Sequence, residues 1–231
     1  MGDVLKQSDQ LFDTYKFRES YELLLKQSDR SYETLWRLAR VIYSLTRELV
    51  DDASKSKQLE TFIFEGFDYA KRALELQPDR SAANKYYAIF LAEKSGIEGL
   101  KERVLQLSTI LKHLRRATEL DASDSFAWFV LGRFYHKLAG LPWFQKKLIH
   151  TFTPDVPDAT FEDALQCFEK AETVHPNFFP LNHLMLGETY IALKNVAKAR
   201  HFLELAANQT SPRTADDLEA RKTAQALLKK L

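Results

Sequence analysis

Apolar residues recur every three or four positions along almost the whole chain. Leu35, Leu38, Ile42 and Leu45 follow this spacing, which places them on one face of a helix. Similar clusters lie at 62–74, 86–91, 104–117, 128–135, 181–190 and 199–206, and a last helix is predicted over about 214–230. The sequence has no alternating apolar and polar pattern of useful length, as a half-buried strand would show. The spacing therefore predicts an all-α fold.

Two sets of residues within these clusters stand at fixed positions of a helix pair. The first set is Trp128, Leu131, Gly132 and Tyr135. The second set is Ala164, Phe168, Ala171 and Pro176. Their spacing resembles the tetratricopeptide repeat, in which Gly132 would let the partner helix approach closely and Pro176 would end the second helix. Repeats of this kind build binding surfaces more often than active sites.

Alignment on these positions predicts four helix pairs. They cover residues 31–78, 80–122, 124–176 and 178–211, within a repeat domain over 31–212. Helices in 1–30 and 213–231 are predicted to cap the ends, because an end repeat has a face that no neighbour covers. The second and third pairs are longer than the usual ~34 residues. We therefore expect an antiparallel helix-pair solenoid of divergent tetratricopeptide-like repeats, with a helix inserted between the two helices of the third pair.

The insertion in the third pair, residues 139–154, is strongly apolar. It contains Trp143, Phe144, Leu148, Ile149 and Phe152. Pro142 suits the first turn of a short helix. One interpretation is that this helix folds back against the stack and is buried. The other is that it forms the wall or lid of a ligand groove, or a partner contact, because Trp and Phe beside Lys146 and Lys147 suit both roles.

Charge is distributed unevenly along the chain. The net charge is +1, yet residues 101–154 hold nine basic and four acidic side chains, and no acid lies between Ser125 and Pro154. A basic middle suggests an acidic partner surface, unless it is an ordinary solvated face that balances acids elsewhere in three dimensions. The residues predicted to bind such a partner are Lys112, Arg115, Arg116, Arg133, Lys137, Trp143, Lys146 and Lys147. Nucleic acid is not predicted, because the chain is not basic overall and carries no nucleic-acid motif.

Repeat position also predicts a concave groove. Its lining residues are Arg37, Lys85, Phe126, Phe129, Arg133 and His136. The cations among them would suit the carboxylates of an extended peptide. Tetratricopeptide co-chaperones hold chaperone tails with a clamp of Lys and Asn residues. This chain has Val41 and Tyr86 where Asn is needed and Phe126 where a Lys is needed, so that clamp is not predicted.

Little in the sequence points to catalysis. None of the six histidines pairs with another His, a Cys or a carboxylate at metal-ligand spacing on a helix, and no glycine-rich phosphate loop is present. Cys167 lies within a predicted helix and is interpreted as structural. Asp155 and Asp158 are interpreted as caps of the helix that begins near Phe161. We therefore predict a non-enzyme that uses no metal or cofactor.

Targeting and modification signals are sparse. The start of the chain lacks the apolar stretch of a signal peptide, and no apolar run reaches the ~18 residues of a membrane span. With a single cysteine, these features predict a reducing compartment, the cytoplasm. Thr153-Pro154 and Ser211-Pro212 match proline-directed phosphorylation sites. Charge added at Thr153 would oppose the binding of an acidic partner.

Several phrases of the chain are distinctive when taken together. They are residues 35–40 (LWRLAR), 69–75 (YAKRALE), 141–145 (LPWFQ), 164–172 (ALQCFEKAE) and 175–178 (HPNF). These phrases resemble the regulator of microtubule dynamics proteins over about residues 9–228, and 141–145 is absent from generic tetratricopeptide proteins. The resemblance implies a cytoplasmic microtubule binder on the cytoskeleton, spindle and spindle poles that is needed for orderly chromosome segregation. Some relatives carry an amino-terminal membrane- or organelle-targeting extension, which we do not expect here.

Two function hypotheses follow. The first is an adaptor whose basic middle binds tubulin, microtubules or another acidic protein surface. The second is a carrier or sensor that holds an apolar or amphipathic small ligand under Trp143 and Phe144, or a generic peptide-binding scaffold.

Overall fold

The computed structural model describes residues 2–50, 52–210 and 212–231. These residues form thirteen α-helices and a 3-10 turn and contain no β-strand, which confirms the predicted all-α class. They pack as two compact units, the first ending at Leu120 and the second beginning at Asp121. Ser211, one of the two residues that match a phosphorylation site, lies outside the described residues.

The first unit is a stack of helices in chain order. Its helices are α1 (Gly2–Asp13), α2 (Phe17–Leu25), α3 (Tyr32–Leu49), α4 (Ser56–Leu76), α5 (Ser81–Glu98), α6 (Leu100–Leu105) and α7 (Leu107–Leu120), with the 3-10 turn Ala53–Lys55 before α4. α1 packs on α2, α2 on α3, α3 on α4, α4 on α5 and α5 on α7. The apolar cluster at 104–117, which the spacing places in a single helix, is divided at Gln106 between α6 and α7.

The second unit has the same neighbour-on-neighbour packing. Its helices are α8 (Ser125–Ala139), α9 (Trp143–Phe152), α10 (Phe161–Val174), α11 (Pro180–Ala192), α12 (Val196–Ala207) and α13 (Ala215–Leu228). α8 packs on α10, α10 on α11, α11 on α12, and α13 on both α11 and α12. The inserted helix α9 therefore lies in the chain between two helices that pack on each other, as the sequence predicts.

Glycines allow close contact between packed helices, both within a pair and between neighbouring pairs. A Cβ atom built on Gly132 of α8 would lie 2.6 Å from Phe168 Cε1 and 3.1 Å from Cys167 Cβ. At Gly66 of α4 the corresponding distance to Phe90 Cε1 would be 2.3 Å. Carbon atoms in contact normally lie about 3.5–4.0 Å apart, so neither site has room for a side chain. The predicted role of Gly132 is confirmed, and Cys167 is buried beside it.

The start of α10 is capped by Thr160, so the interpretation of Asp155 and Asp158 as its caps is wrong. Thr160 Oγ1 accepts from Asp163 N at 3.1 Å, and Asp163 Oδ2 accepts from Thr160 N at 2.9 Å. This reciprocal pair satisfies two backbone donors that the helix leaves open at its first turn. Asp158 precedes the cap and instead contacts His150, with 2.7 Å between Oδ1 and Nε2.

Candidate partner-binding surface

The inserted helix α9 is attached to the second unit along one edge. Ile149 is its buried residue, and Lys146 Nζ donates to Ala139 O at 2.9 Å. At its end, Thr153 Oγ1 donates to Ile149 O at 2.9 Å. Among the described residues, α9 forms no extensive packing interface with another helix. It is therefore held in place by a few contacts and leaves most of its surface uncovered.

The uncovered surface of α9 is apolar. Trp143 is 76% exposed, Phe144 and Phe152 are each 56% exposed, and Leu148 is 42% exposed. The interpretation that the insertion folds back and is buried is wrong for these four residues. Ile149 is buried on one edge of the helix, and the other apolar side chains lie on its exposed side. A carrier site under Trp143 and Phe144 would need these rings to face inwards, which they do not.

Three of the predicted cations of the second unit are exposed. Arg133 and Lys137 are exposed on α8, and Lys147 is exposed on α9. Lys146 is half-buried because its ammonium group is bound to a backbone carbonyl, so it is less available to a partner than the sequence predicts. The guanidinium carbon of Arg133 lies 5.7 Å from the centroid of the Phe129 ring.

The other three predicted cations belong to the first unit. Lys112, Arg115 and Arg116 are exposed on α7 at positions i, i+3 and i+4, and therefore share one face of that helix. Arg116 Nη2 donates to Asp79 Oδ1 at 2.9 Å, and its Nη1 lies 3.5 Å from Glu119 Oε2. The charge of Arg116 is thus partly balanced within the unit.

Arg37, predicted in the concave groove, is already engaged by carboxylates of the first unit. Its Nε and Nη2 donate to Asp9 at 3.0 Å and 2.8 Å, and its Nη1 donates to Glu33 Oε2 at 2.6 Å. Arg40 also donates to Asp9, and its guanidinium carbon lies 4.0 Å from the centroid of the Phe12 ring. This network joins α1 to α3, so the groove role of Arg37 is replaced by a structural one.

Two further groove residues lie in the interior of their own units. Lys85 is 7% exposed and Phe129 is 1% exposed. Lys85 is on α5, with its ammonium group 5.2 Å from the centroid of the Tyr86 ring. Phe129 packs against Phe168 with 6.0 Å between ring centroids. Both residues therefore contribute to packing and do not line an open wall, because the face of each helix that carries them is covered by the next helix.

Phe126 lies at a small aromatic pocket that the sequence does not reveal. Its rings are Phe126, Phe129, Phe178 and Phe179, and its polar lining includes Glu172 and Asn182. Asn182 Nδ2 donates to Phe168 O and to Glu172 Oε2, each at 3.2 Å, while Asn182 Oδ1 is buried without a protein partner. The pocket has room for about one water-sized group, which is too little for an amphipathic ligand. Only the fold brings the start of α8 to the α10–α11 connection, so residue spacing carries no signal for it.

His136 and Glu188 are titratable groups of the second unit whose pKa is shifted chiefly by burial. Burial lowers the pKa of His136, and the charge of Arg133 lowers it further. Burial raises the pKa of Glu188, and Arg133 partly offsets this effect. His136 also lies 5.2 Å, centroid to centroid, from Phe161. Burial favours the neutral form of both side chains, which is typical of groups packed against a core.

The described residues show few of the features that a catalytic site requires. No group of three or more His, Cys, Asp or Glu side chains among them could hold a metal ion.

Thr153 is 5% exposed and its hydroxyl is hydrogen-bonded, so the predicted phosphorylation site is closed to a kinase while α9 is folded. Among the helices of the described residues, none is long and apolar enough to cross a membrane.

Known proteins are similar to this chain in sequence and in fold. A family model described as Regulator of microtubule dynamics protein 1-3 matches residues 4–231. Regulator of microtubule dynamics protein 1 of Mus musculus is 33% identical over 228 residues, covering 98% of this chain and 73% of the mouse protein. Regulator of microtubule dynamics protein 3 of Xenopus laevis is 31% identical over 230 residues, covering 97% of this chain and 49% of that protein.

The fold has a counterpart among solved structures. A thermophilic tetratricopeptide-repeat protein of Thermus thermophilus superposes with a TM-score of 0.64 at 15% sequence identity, covering 98% of each chain. This likeness shows that the helices are arranged as in a tetratricopeptide-type helical-repeat protein. Since the family model matches nearly the whole chain and relatives at about a third identity align along its length, this chain belongs to the regulator of microtubule dynamics protein family.

Proposed function

We propose that this protein is a non-enzymatic, microtubule-associated adaptor of the cytoplasm. Its exposed cations would contact the acidic surface of tubulin, and through this contact it would support spindle organisation and chromosome segregation. The observation that carries the proposal is the exposure of Arg133, Lys137 and Lys147 in a segment that has no acidic residue and that also contains the apolar helix α9. The names of its relatives, regulators of microtubule dynamics, agree with this role.

The electrostatics of the surface favour an acidic protein partner. Four cations and no acids lie between Ser125 and Pro154, so this segment by itself carries a net positive charge. Exposed charges interact over roughly 8 Å at physiological ionic strength, so an approaching acidic surface would feel several of these cations at once. Aromatic side chains such as those of α9 are also enriched in protein interfaces.

The exposed face of α7 supplies a second basic site in the first unit. Lys112 and Arg115 are exposed there, and Arg116 is exposed but held by Asp79 and Glu119. We assign the microtubule contact to Lys112 and Arg115 together with Lys137 and Lys147, because all four side chains are exposed. Each unit would then contribute its own basic contact, which can be tested separately.

Reversing the charge of either site should weaken co-sedimentation with microtubules. Lys137→Glu with Lys147→Glu, and separately Lys112→Glu with Arg115→Glu, are each expected to lower the affinity roughly tenfold, since each exposed contact contributes about 0.2–1 kcal/mol and reversal adds repulsion. Wild-type binding should also fall steeply as salt is added. The measurement is a pelleting titration over a range of microtubule concentrations.

The matched control is Lys170→Glu with Lys222→Glu. These two residues are exposed on α10 and α13, and their reversal changes the net charge by the same amount. The control variant should bind microtubules almost as tightly as the wild type, with only the small loss of affinity that the change in net charge causes. Equal pelleting by both test variants and the control would contradict the assignment of the basic sites.

A further inference from the structure

Helix α9 presents apolar side chains over about half of its circumference. With 3.6 residues per turn, Trp143 and Phe152 lie about 180° apart on the helical wheel, and Phe144 and Leu148 lie between them. All four are exposed, whereas Ile149 on the opposite side is buried. Lys147 and Thr151 are the polar residues within the exposed half, and both lie between Trp143 and Phe144.

The attachment of α9 keeps this face directed away from its own unit. Lys146 Nζ donates to Ala139 O at 2.9 Å on one edge, and His150 Nε2 lies 2.7 Å from Asp158 Oδ1 near the other end. Val156, just after the helix, is 1% exposed and anchors the returning chain. The apolar face therefore cannot be covered by a simple rotation of the helix without breaking these contacts.

Helix α9 and the helix before it in the chain both carry a net positive charge. α9 contains Lys146 and Lys147 and no acidic residue, and Arg133 and Lys137 lie on the helix before it. The nearest acids in sequence, Asp155 and Asp158, follow the helix, and Asp158 is bound to His150. A surface that covers α9 should therefore be apolar in its interior and anionic at its rim.

We propose that α9 docks on the surface of an anionic phospholipid bilayer. Trp143, Phe144, Leu148 and Phe152 would enter the boundary between headgroups and acyl chains, and Lys147 would extend its ammonium group to lipid phosphates and carboxylates. Trp and Phe on one face with Lys beside them are typical of helices that lie in this interfacial layer. Ten residues of helix are about 15 Å long, half of the ~30 Å hydrocarbon core, so the helix lies on the bilayer and does not span it.

The width of the apolar face favours a bilayer over a groove in a protein partner. A helix that docks in a protein groove uses a narrow stripe of residues at i, i+3 or i+4, and i+7. Here the exposed apolar residues spread over about half of the helix, which matches a cylinder roughly 10–12 Å wide immersed to a depth of about 5–10 Å. This docking shares Lys147 with the microtubule contact proposed above, whereas Lys112 and Arg115 of that contact take no part in it.

The test is flotation of the full chain with vesicles of phosphatidylcholine containing about one third phosphatidylserine. The wild type should float with these vesicles and bind pure phosphatidylcholine vesicles far less, since each cation near an anionic surface contributes about fivefold. The triple variant Trp143→Ser, Phe144→Ser and Phe152→Ser should bind at least about a hundredfold more weakly, because three large apolar side chains no longer leave water. All three residues are exposed, so the fold should be retained, and circular dichroism can verify this.

The matched control is Leu76→Ser, Phe178→Ser and Val196→Ser, which removes three comparably exposed apolar side chains from other helices and loops. It should float like the wild type. A second readout is the emission of Trp143 in a Trp36→Phe, Trp128→Phe background, which should move to shorter wavelength when phosphatidylserine vesicles are added.

Two results would overturn the proposal. One is equal flotation of the α9 variant and the wild type. The other is no flotation of the wild type. If the α9 variant then also loses microtubule pelleting, the apolar face would be assigned to a protein partner. Failure of the microtubule proposal alone would appear as unchanged pelleting of the charge-reversal variants and would leave vesicle binding intact.

Discussion

Gly132→Ala is expected to lower the free energy of unfolding of the second unit by about 1 kcal/mol, even though alanine is the better helix former. The new methyl group would lie 2.6 Å from Phe168 Cε1 and 2.7 Å from Phe168 Cδ1. Such overpacking typically costs about 1–3 kcal/mol, against a gain of roughly 1 kcal/mol in helix propensity. Gly132→Val, with two further methyl groups, should cost more.

The loss is expected because the Phe168 ring has nowhere to move. Phe168 is fully buried, and its centroid lies 6.0 Å from that of Phe129 and 6.4 Å from that of His136. Cys167 Cβ, which would lie 3.1 Å from the new methyl group, closes the other side. The helices α8 and α10 would therefore have to separate, which would loosen the packing that positions α9 between them.

Chemical denaturation followed by circular dichroism measures this effect, with Gly140→Ala as the control. Gly140 follows the same helix, has an ordinary helical φ of −76°, and its nearest neighbouring atom would be 3.5 Å from an added Cβ. Its replacement should change stability by less than about 0.5 kcal/mol. Adding Phe168→Leu to Gly132→Ala should recover part of the loss if the ring is the obstacle. Equal stability of the two alanine variants would contradict the close-approach argument.

The fold could be predicted from the sequence because its determinants are local. The three-to-four spacing of apolar residues decides which faces are buried, and small residues such as Gly132 and Ala171 decide where helices touch. Both signals can be recognised in a single sequence. Helix ends are harder to predict from the sequence. Thr160 and Asp163 form the cap of α10 by reciprocal hydrogen bonds, although Asp155 and Asp158 nearby are also suitable cap residues.

The candidate surface could be predicted only in part, because exposure depends on what each face meets. The sequence singles out the insertion and its lysines, but the same apolar content suits a buried helix and an uncovered one. Trp143 is exposed because the contacts of Ile149 and Lys146 fix the opposite edge. Arg37 and Lys85 stand at groove positions of the repeat, yet the first is engaged by Asp9 and the second is covered. Contacts of this kind join residues that are far apart in the sequence, so no local sequence pattern predicts them.

Asp9→Asn is expected to destabilise the first unit by about 1–2 kcal/mol at neutral pH, measured by urea denaturation. The side chain of Asp9 is 32% exposed, and those of Arg37 and Arg40 are 13% and 15% exposed, so the two guanidinium groups would remain half-buried without their shared anion. Because Asp9 is the contact between α1 and α3 in this network, hydrogen exchange should rise first in α1. Asp13→Asn, exposed on the same helix, is the matched control and should have little effect.

The pH dependence of this loss provides the sharper test. Burial alone would raise the pKa of Asp9, but hydrogen bonds and charge from Arg37 and Arg40 outweigh it, so the pKa lies below its ordinary value of 3.8. The unfolded chain then binds the proton more readily than the folded one, so the stability contributed by the carboxylate is present above about pH 4 and is lost as pH falls through the lowered pKa. The stability difference between wild type and Asp9→Asn should therefore hold from neutral pH to about pH 4 and shrink below it. A difference that does not change with pH would mean that the network stabilises α1 by packing of Arg40 on Phe12, and not by the charge of Asp9.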